Sequence, residues 1–307
     1  ATVLVLRKIN IIATIFGNGF LHNICKPLIS RIMVMSEIDA LVAQRADVNP
    51  YRYGLFEIWN RLKWDLNSES SRSRKLLRSW KDKYSGQKAV IACNGPSLLK
   101  SDLSLLDDVF VFGLNKIHLL FDKSEFRPSC IVAVNPYVIE QTQDFYNATD
   151  IPLFVSATGT NKIVHRDNVA FLHMTKQTKF AKDCSMSINF GFTGTFVEMQ
   201  LSFHMWFDFV VLIGCDHNFI TRGPANATVT SGEKDENHFD PNYFAGGVKW
   251  QLPDLIMSEM FYCLARDMFA SHGRRIVNCT EGGKLEVFQR QTLQDWAQKK
   301  TKVNSSV

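Results

Sequence analysis

The sequence predicts an α/β protein: a Rossmann-like, mostly parallel sheet with helices on both faces, preceded by an N-terminal helical extension. Three observations predict it. From Lys88 onward, short apolar runs recur at residues 89–93, 109–114, 130–134, 153–155, 169–172, 209–213 and 276–278. They are apolar on both faces, as strands buried between two helical layers are. Turns and helix-like segments separate them, which is the rhythm of a doubly wound sheet. Before them the periodicity is helical. Residues 33–45 carry spaced apolar positions, residues 53–65 form an apolar-periodic helix, and Asn67 and Ser68 offer a cap for a basic helix ending near Tyr84. The expected organisation is a helical extension over residues 1–86 and a nucleotide-binding catalytic domain over residues 87–307, without internal repeats.

Composition narrows the class. The 307 residues are 46% hydrophobic and 21% charged, with a formal net charge of +5. A mildly basic chain suits an anionic ligand, but it lacks the dense Lys/Arg clustering of a nucleic-acid binder. The basic stretch at residues 72–83 reads as a solvated helix face. Seven cysteines show no CxxC spacing. They read as buried free thiols in a reducing compartment, hence a cytoplasmic protein without a zinc site. On the same ground the N-x-S/T triplets at Asn147, Asn226, Asn278 and Asn304 are read as unglycosylated. No apolar run reaches the roughly 18 residues of a membrane span. Residues 9–20 are read as an amphipathic helix that packs on the domain or makes peripheral membrane contact. Oligomer formation stays open.

Ligands of such folds bind outside the carboxyl ends of the strands. The first strand ends in Asn94, Gly95, Pro96 and Ser97. Gly95 permits close backbone approach, Pro96 fixes the turn, and Ser97 can cap a following helix whose N-terminus would attract phosphate. The second strand ends at Asn115 and the third at Asn135. Three successive strand ends thus present an uncharged side chain that both donates and accepts, suited to a base edge, a ribose hydroxyl or a phosphate oxygen. The pattern is not a GxGxxG loop, which argues against a nicotinamide cofactor. Thr193, Gly194 and Thr195 precede another helix and make a second anion-ready N-terminus.

The strand at residues 209–213 leads to Asp216 and His217. The following residues, 219–249, form a loop long enough to be a functional lid, containing His238 and Tyr243. His238 is the candidate general base, because imidazole titrates near neutral pH. His118 and His204 fall in apolar helix-like segments and read as structural; His165, His173 and His272 read as loop or surface. Phe196, Phe203, Trp206 and Phe207 lie at helical spacing and read as core. Gly282, Gly283 and Lys284 read as a sharp turn.

The set 92–98, Asn115, 133–136 and 213–216 resembles a superfamily with several branches. These are the bacterial sialyltransferases of glycosyltransferase family 42, the motility accessory factors, and the MptE-like 6-hydroxymethylpterin diphosphokinases. The resemblance covers roughly residues 88–288. For the sialyltransferases it implies a Rossmann-like fold binding CMP-sialic acid without a metal. It places Asn94, Asn115 and Asn135 at the nucleotide or donor sugar, and Thr193, Gly194 and Thr195 near the donor carboxylate and phosphate. Asp216 matches that branch's Gly-Ile-Asp strand end. His217 and the two residues after it depart from its aromatic pattern. His238 matches an Asn-x-His-like lid segment, whereas that branch's base falls where this chain reads Asn242 or Tyr243.

Three readings follow. In the first, a sugar of the nonulosonic acid type passes from a CMP donor to a glycan or small-molecule acceptor, with no cofactor required. Asn94, Asn115 and Asn135 hold the nucleotide, and His238, with Asp216, His217 and Tyr243 around it, serves the chemistry. In the second, ATP and magnesium pyrophosphorylate a hydroxymethylpterin, with Asp216 and the lid acids Asp235, Glu236 and Asp240 as the groups nearest a metal. In the third, the chain is a nucleotide-binding module without turnover.

Overall fold

The computed structural model describes residues 49–220 and 223–298. The expected helices at 9–20 and 33–45, Cys25 and the Asn304 triplet lie outside the described residues. The chain divides into a unit of residues 1–59 and a unit of residues 60–307, and the sheet belongs to the second.

Helix α1 (Pro50–Asp65) is followed by α2 (Ser68–Trp80). Asn67 caps α2 by accepting from the Glu69 N–H, as the sequence predicts. The helix stops at Trp80 rather than near Tyr84. Lys81 turns extended, and the N–H groups of Asp82 and Tyr84 donate instead to the carbonyls of His204 and Met205. Strands β1 (Lys88–Ala92), β2 (Phe110–Leu114) and β3 (Cys130–Ala133) come next, then helices α3 (Pro136–Gln141) and α4 (Gln143–Ala148). After them run β4 (Leu153–Ser156), β5 (Val169–Leu172) and the short β6 (Met174–Thr175) and β7 (Ile188–Asn189). Helix α5 (Gly194–His204) leads to β8 (Phe209–Ile213). The lid contributes β9 (Thr228–Thr230) and β10 (Lys249–Gln251). Helix α6 (Leu255–Ala270), β11 (Arg275–Asn278) and α7 (Leu293–Gln298) complete the described chain.

Seven strands pair in the order β11-β8-β1-β2-β3-β4-β5, every pair parallel. This is the Rossmann-like α/β fold the apolar runs predict. Alternation along each strand feeds two cores. Ala89, Ile91 and Cys93 join the layer of Phe196, Phe203 and Phe269, whereas Val90 and Ala92 join that of Leu98, Tyr146 and Trp296. The chain runs outward from β1 through β5, then returns to the other side of β1 as β8. The topological switch point therefore lies between β1 and β8, where open α/β sheets place their ligands.

Part of the basic stretch is not a solvated face. Arg72 donates to the carbonyls of Arg166 and Val169 at 2.7 and 2.8 Å, and Ser73 Oγ accepts from the Phe171 N–H at 2.9 Å. Helix α2 so covers the edge strand β5, whose backbone would otherwise stand unpaired, while Lys75 and Arg78 stay exposed. His173 is also not a surface residue: it is buried, bonded to Ser187 Oγ and stacked beside Trp64. His204 is structural as expected, bonded to the Leu77 carbonyl. Of the aromatic stripe, Phe196, Phe203 and Phe207 are core, but Trp206 is 38% exposed because α5 has already ended. Cys93, Cys130, Cys184 and Cys215 are buried and free, and Cys279 is buried. Among the described residues no helix is long and apolar enough to cross a membrane.

Candidate functional site

A cavity of about 140 Å³ opens at the switch point, walled by the ends of β1, β2 and β8, the start of α5, the lid and α6. Asn94, Gly95, Asn115, Thr193, Thr195, Asp216, His217, His238 and Tyr243 all line it. Pro96, Ser97, Asn135 and Gly194 do not. Pro96 and Ser97 start a single 3-10 turn (Pro96–Lys100), so the expected phosphate-attracting α-helix after β1 is absent. A turn this short has little aligned dipole. Asn135 spends its side chain capping α3, accepting from the Tyr137 N–H. Gly194 packs against Leu114.

The floor is tied to the first strand by Asp216. Its Oδ2 accepts from Ser97 Oγ at 2.7 Å and from the Ser97 N–H at 3.2 Å. Gly95 is required here for proximity, not for an unusual φ: a Cβ on it would sit 1.9 Å from Asp216 Oδ2 and 2.7 Å from the Gly214 carbonyl. On the far side, Gly283 at φ +75 lies where a Cβ would meet the Asp216 backbone at 2.9 Å, and the Lys284 N–H donates to the Asp216 carbonyl. The Gly282–Gly283 turn is thus the clamp on the β8 exit.

One wall carries acceptors. Asn94 Nδ2 donates to the Leu114 carbonyl and to Tyr243 Oη, both at 2.8 Å. A carbonyl can only accept, so the amide NH₂ is fixed towards it and Oδ1 is the free end. Asn94 Oδ1 is buried with no hydrogen-bond partner, and Asn115 Oδ1 is likewise. Asn115 sits at φ +48, a left-handed conformation asparagine tolerates. Its backbone N–H and carbonyl are both used, by Val132 and Tyr146, leaving the side-chain oxygen for something else. Two orphaned acceptors on one pocket wall point to a donor-bearing ligand such as a hydroxyl or an amine.

The lid closes this wall. His238 stacks on Tyr243 with ring centroids 4.0 Å apart and planes at 2°. Its Nδ1 meets Asp235 Oδ2 at 2.7 Å. Burial raises the Asp235 carboxyl, but bonds from His238 and from the N–H groups of Asn237 and Phe244 outweigh it and hold Asp235 below its ordinary range. The aspartate is therefore the acceptor and Nδ1–H the donor, which leaves Nε2 as the candidate base. Burial pushes the Tyr243 phenol up more than Lys116, Asn115 and Asn94 pull it down, so Tyr243 is a neutral hydrogen-bonding group. Lys116 Nζ donates to the Tyr243 carbonyl at 2.6 Å and to Gln141 Oε1 at 2.8 Å; burial pulls its pKa down to about 8 against the pull of Asp235. With Phe239, Phe244 and Trp250 buried around it and β9–β10 paired antiparallel, the lid has an aromatic core of its own.

The other wall is anion-ready. Thr193 caps α5, accepting from the Thr195 N–H, and its Oγ1 lies 3.2 Å from Tyr262 Oη. Tyr262 neighbours His217, with ring centroids 6.1 Å apart. His217 Nε2 meets Glu259 Oε1 of α6 at 3.0 Å. Burial lowers the His217 imidazole below its ordinary value, and Glu259 opposes the shift.

Among the described residues the wall includes neither Lys nor Arg. Among the described residues no three His, Cys, Asp or Glu side chains converge on a metal position. Of the acids named for a metal, Asp216 bonds Ser97, Asp235 bonds His238 and Asp240 pairs with Lys123, while Glu236 is exposed. As placed, these described side chains do not converge as a magnesium cradle.

Sequence reasoning found the strand ends and His238 but not Glu259, Tyr262 or Lys116. Only Asp235 carried a local signal, three residues before His238; Glu259 stands 42 residues from His217 and meets it through the fold alone.

Fold and cavity together define a Rossmann-like domain with a pocket at its switch point. The model of the family described as 6-hydroxymethylpterin diphosphokinase MptE-like matches residues 66–222, just over half of the 307-residue chain. The chain belongs to that family. A solved structure of a Maf glycosyltransferase from Magnetospirillum magneticum AMB-1 is 13% identical, with a TM-score of 0.44, over 75% of this chain and 39% of that one. This chain therefore spans well under half the length of that protein. No curated protein matches the sequence.

Proposed function

We propose that the protein is a transferase that takes a sugar from a nucleotide donor joined through a single phosphate, as in a CMP-sugar, and passes it to a hydroxyl acceptor. The observation that carries the reading is the pairing of orphaned acceptors with an anion-ready helix start across one cavity. Asn94 Oδ1 and Asn115 Oδ1 need donors, which ribose hydroxyls or a cytosine amine supply. Thr193, Thr195 and the α5 N-terminus suit the phosphate. A wall whose described residues include no Lys, Arg or three-ligand metal set favours one phosphate over a triphosphate, whose charge asks for more.

In the transfer, His238 Nε2 takes the proton of the acceptor hydroxyl while Asp235 holds the ring and stabilises the imidazolium. The acceptor oxygen bonds to the anomeric carbon, the carbon–oxygen bond to phosphate breaks, and CMP leaves with that electron pair. The cavity of about 140 Å³ is smaller than a whole nucleotide sugar, so part of a bound donor extends beyond it. The protein works on this reading with a nucleotide sugar and a glycan or small-molecule acceptor.

The family's description favours a second reading, pyrophosphoryl transfer from ATP to a hydroxymethylpterin with magnesium. Thermal shift with CMP, CDP, UDP, GDP and ATP, with and without magnesium, separates the two. A metal-independent preference for CMP supports the first; a magnesium-dependent preference for ATP replaces it with the second. A ligand at about 100 times its Kd stabilises the fold by about 2.7 kcal/mol, a readable shift.

A further inference from the structure

Two histidine–carboxylate pairs face one cavity from different elements. His238–Asp235 belongs to the lid, beside Tyr243 and Asn94. His217–Glu259 joins the β8 exit to α6, on the wall of Thr193 and Tyr262. Only the first pair has a task in the proposed transfer.

The second pair is built with some care. His217 sits at φ +50, a left-handed conformation that costs a non-glycine residue about 1 kcal/mol or more and persists only where its surroundings impose it. They do so here: the Lys284 N–H holds the preceding carbonyl, Gly283 packs against the Asp216 backbone, and Glu259 takes Nε2. The His217 side chain is 7% exposed, whereas Glu259 is half exposed, so the carboxylate orients the ring from the solvent side. With Nε2 committed to Glu259, Nδ1 is left for a ligand.

We propose that His217 is the residue that binds the donor's phosphate, and that Glu259 is its positioning residue. The wall decides the assignment. Tyr262 contacts both His217 and Thr193, so the imidazole and the start of α5, where an anion is favoured, flank the same tyrosine on one wall. Among the described residues the lining has no Lys or Arg to do this, and His217 is the histidine on that wall. Glu259 and a bound phosphate are two anions flanking one ring and favour its doubly protonated form, which donates from both nitrogens. His238, on the opposite wall, is left to the acceptor. The proposal rests on the nucleotide-donor reading for the name of its phosphate, not for the existence of an anion site.

The test uses the full chain with CMP, cytidine and inorganic phosphate as probes, titrated by calorimetry. Wild type should bind CMP more tightly than cytidine. His217→Asn should weaken CMP by about ten- to hundredfold and leave cytidine unchanged, the size expected for losing a charge-assisted bond. Glu259→Ala should weaken CMP in the same direction, Glu259→Gln should recover part of the loss, and His238→Asn should leave the CMP–cytidine gap intact. A merely structural role would lower the melting temperature and weaken both nucleosides alike. A gap that survives in His217→Asn overturns the proposal. If wild type binds neither CMP nor cytidine, the CMP-donor reading has failed, and inorganic phosphate and ATP report on the wall alone. Weaker binding of both in His217→Asn then upholds the phosphate role; equal binding, or none in wild type, removes it.

Discussion

Asn94 joins the end of β1 to the lid: its single amide NH₂ donates to the Leu114 carbonyl and to the Tyr243 hydroxyl at 2.8 Å each, while the Phe239 N–H donates back to the Asn94 carbonyl. One strand-end residue thus fixes the neighbouring strand, positions the ring on which His238 stacks, and still presents a bare acceptor to the cavity.

Replacing it therefore costs stability as well as binding. Asn94→Ala leaves the buried Leu114 carbonyl and the Tyr243 hydroxyl short of a donor, a loss of about 1–3 kcal/mol. Urea unfolding should show the midpoint falling with the slope unchanged. Asn94→Asp should be worse, since a carboxylate cannot donate to a carbonyl.

The lid dyad predicts a kinetic split. His238→Ala should lower kcat by about 10²–10⁴ with nucleotide affinity retained, as expected for losing a general base that does not hold the donor. Asp235→Asn should lower kcat by less, because the ring survives without its orienting charge. A His238→Ala enzyme of undiminished kcat would remove the base assignment.

Asp235 also sets an acid limit. Its carboxyl is held below the ordinary range in the folded protein, so its contribution is present above the unfolded value of about 3.9 and is lost as pH falls through the folded one. The stability difference between wild type and Asp235→Asn should be full at pH 7 and shrink below about pH 4. A difference that stays constant with pH would contradict the paired charge.

Lys116 acts at the other end of the scale and with the opposite sign. Its folded pKa of about 8 lies below the unfolded value of about 10.4, so the unfolded chain binds more protons between them. Wild-type stability should rise relative to Lys116→Met as pH climbs from 8 to about 10.4, and level off below 8. Chemical unfolding across that range reads it directly.

The contact between Gly95 and Asp216 gives a steric prediction. Gly95→Ala should cost about 1–3 kcal/mol or more through overpacking. Combining it with Asp216→Ala should cost less than the two single changes added together, by about 0.5–3 kcal/mol. The Gly214 carbonyl keeps the relief partial. Strict additivity would mean the two residues do not meet.

The sequence by itself determined the fold class, the seven strands of the main sheet and which of their ends carry polar residues. Apolar runs on both faces are a local property, and so are the Asn67 cap and the long lid, which is why each is legible in one dimension. Asn94, Asn115 and Thr193 were legible because strand ends and helix starts announce themselves, and His238 because it lies in the long lid. Only the tertiary structure decided which of those ends share a cavity. Asn135 has the same residue type and the same strand-end context as Asn94, yet it caps α3 because β3 lies two strands from the switch point. Nor could spacing reveal that Glu259 meets His217 or that Lys116 holds the Tyr243 carbonyl, since these partners stand far apart in the chain and converge only when β8 returns beside β1. Side-chain chemistry is written residue by residue; the company each residue keeps is set by the order of strands in the sheet.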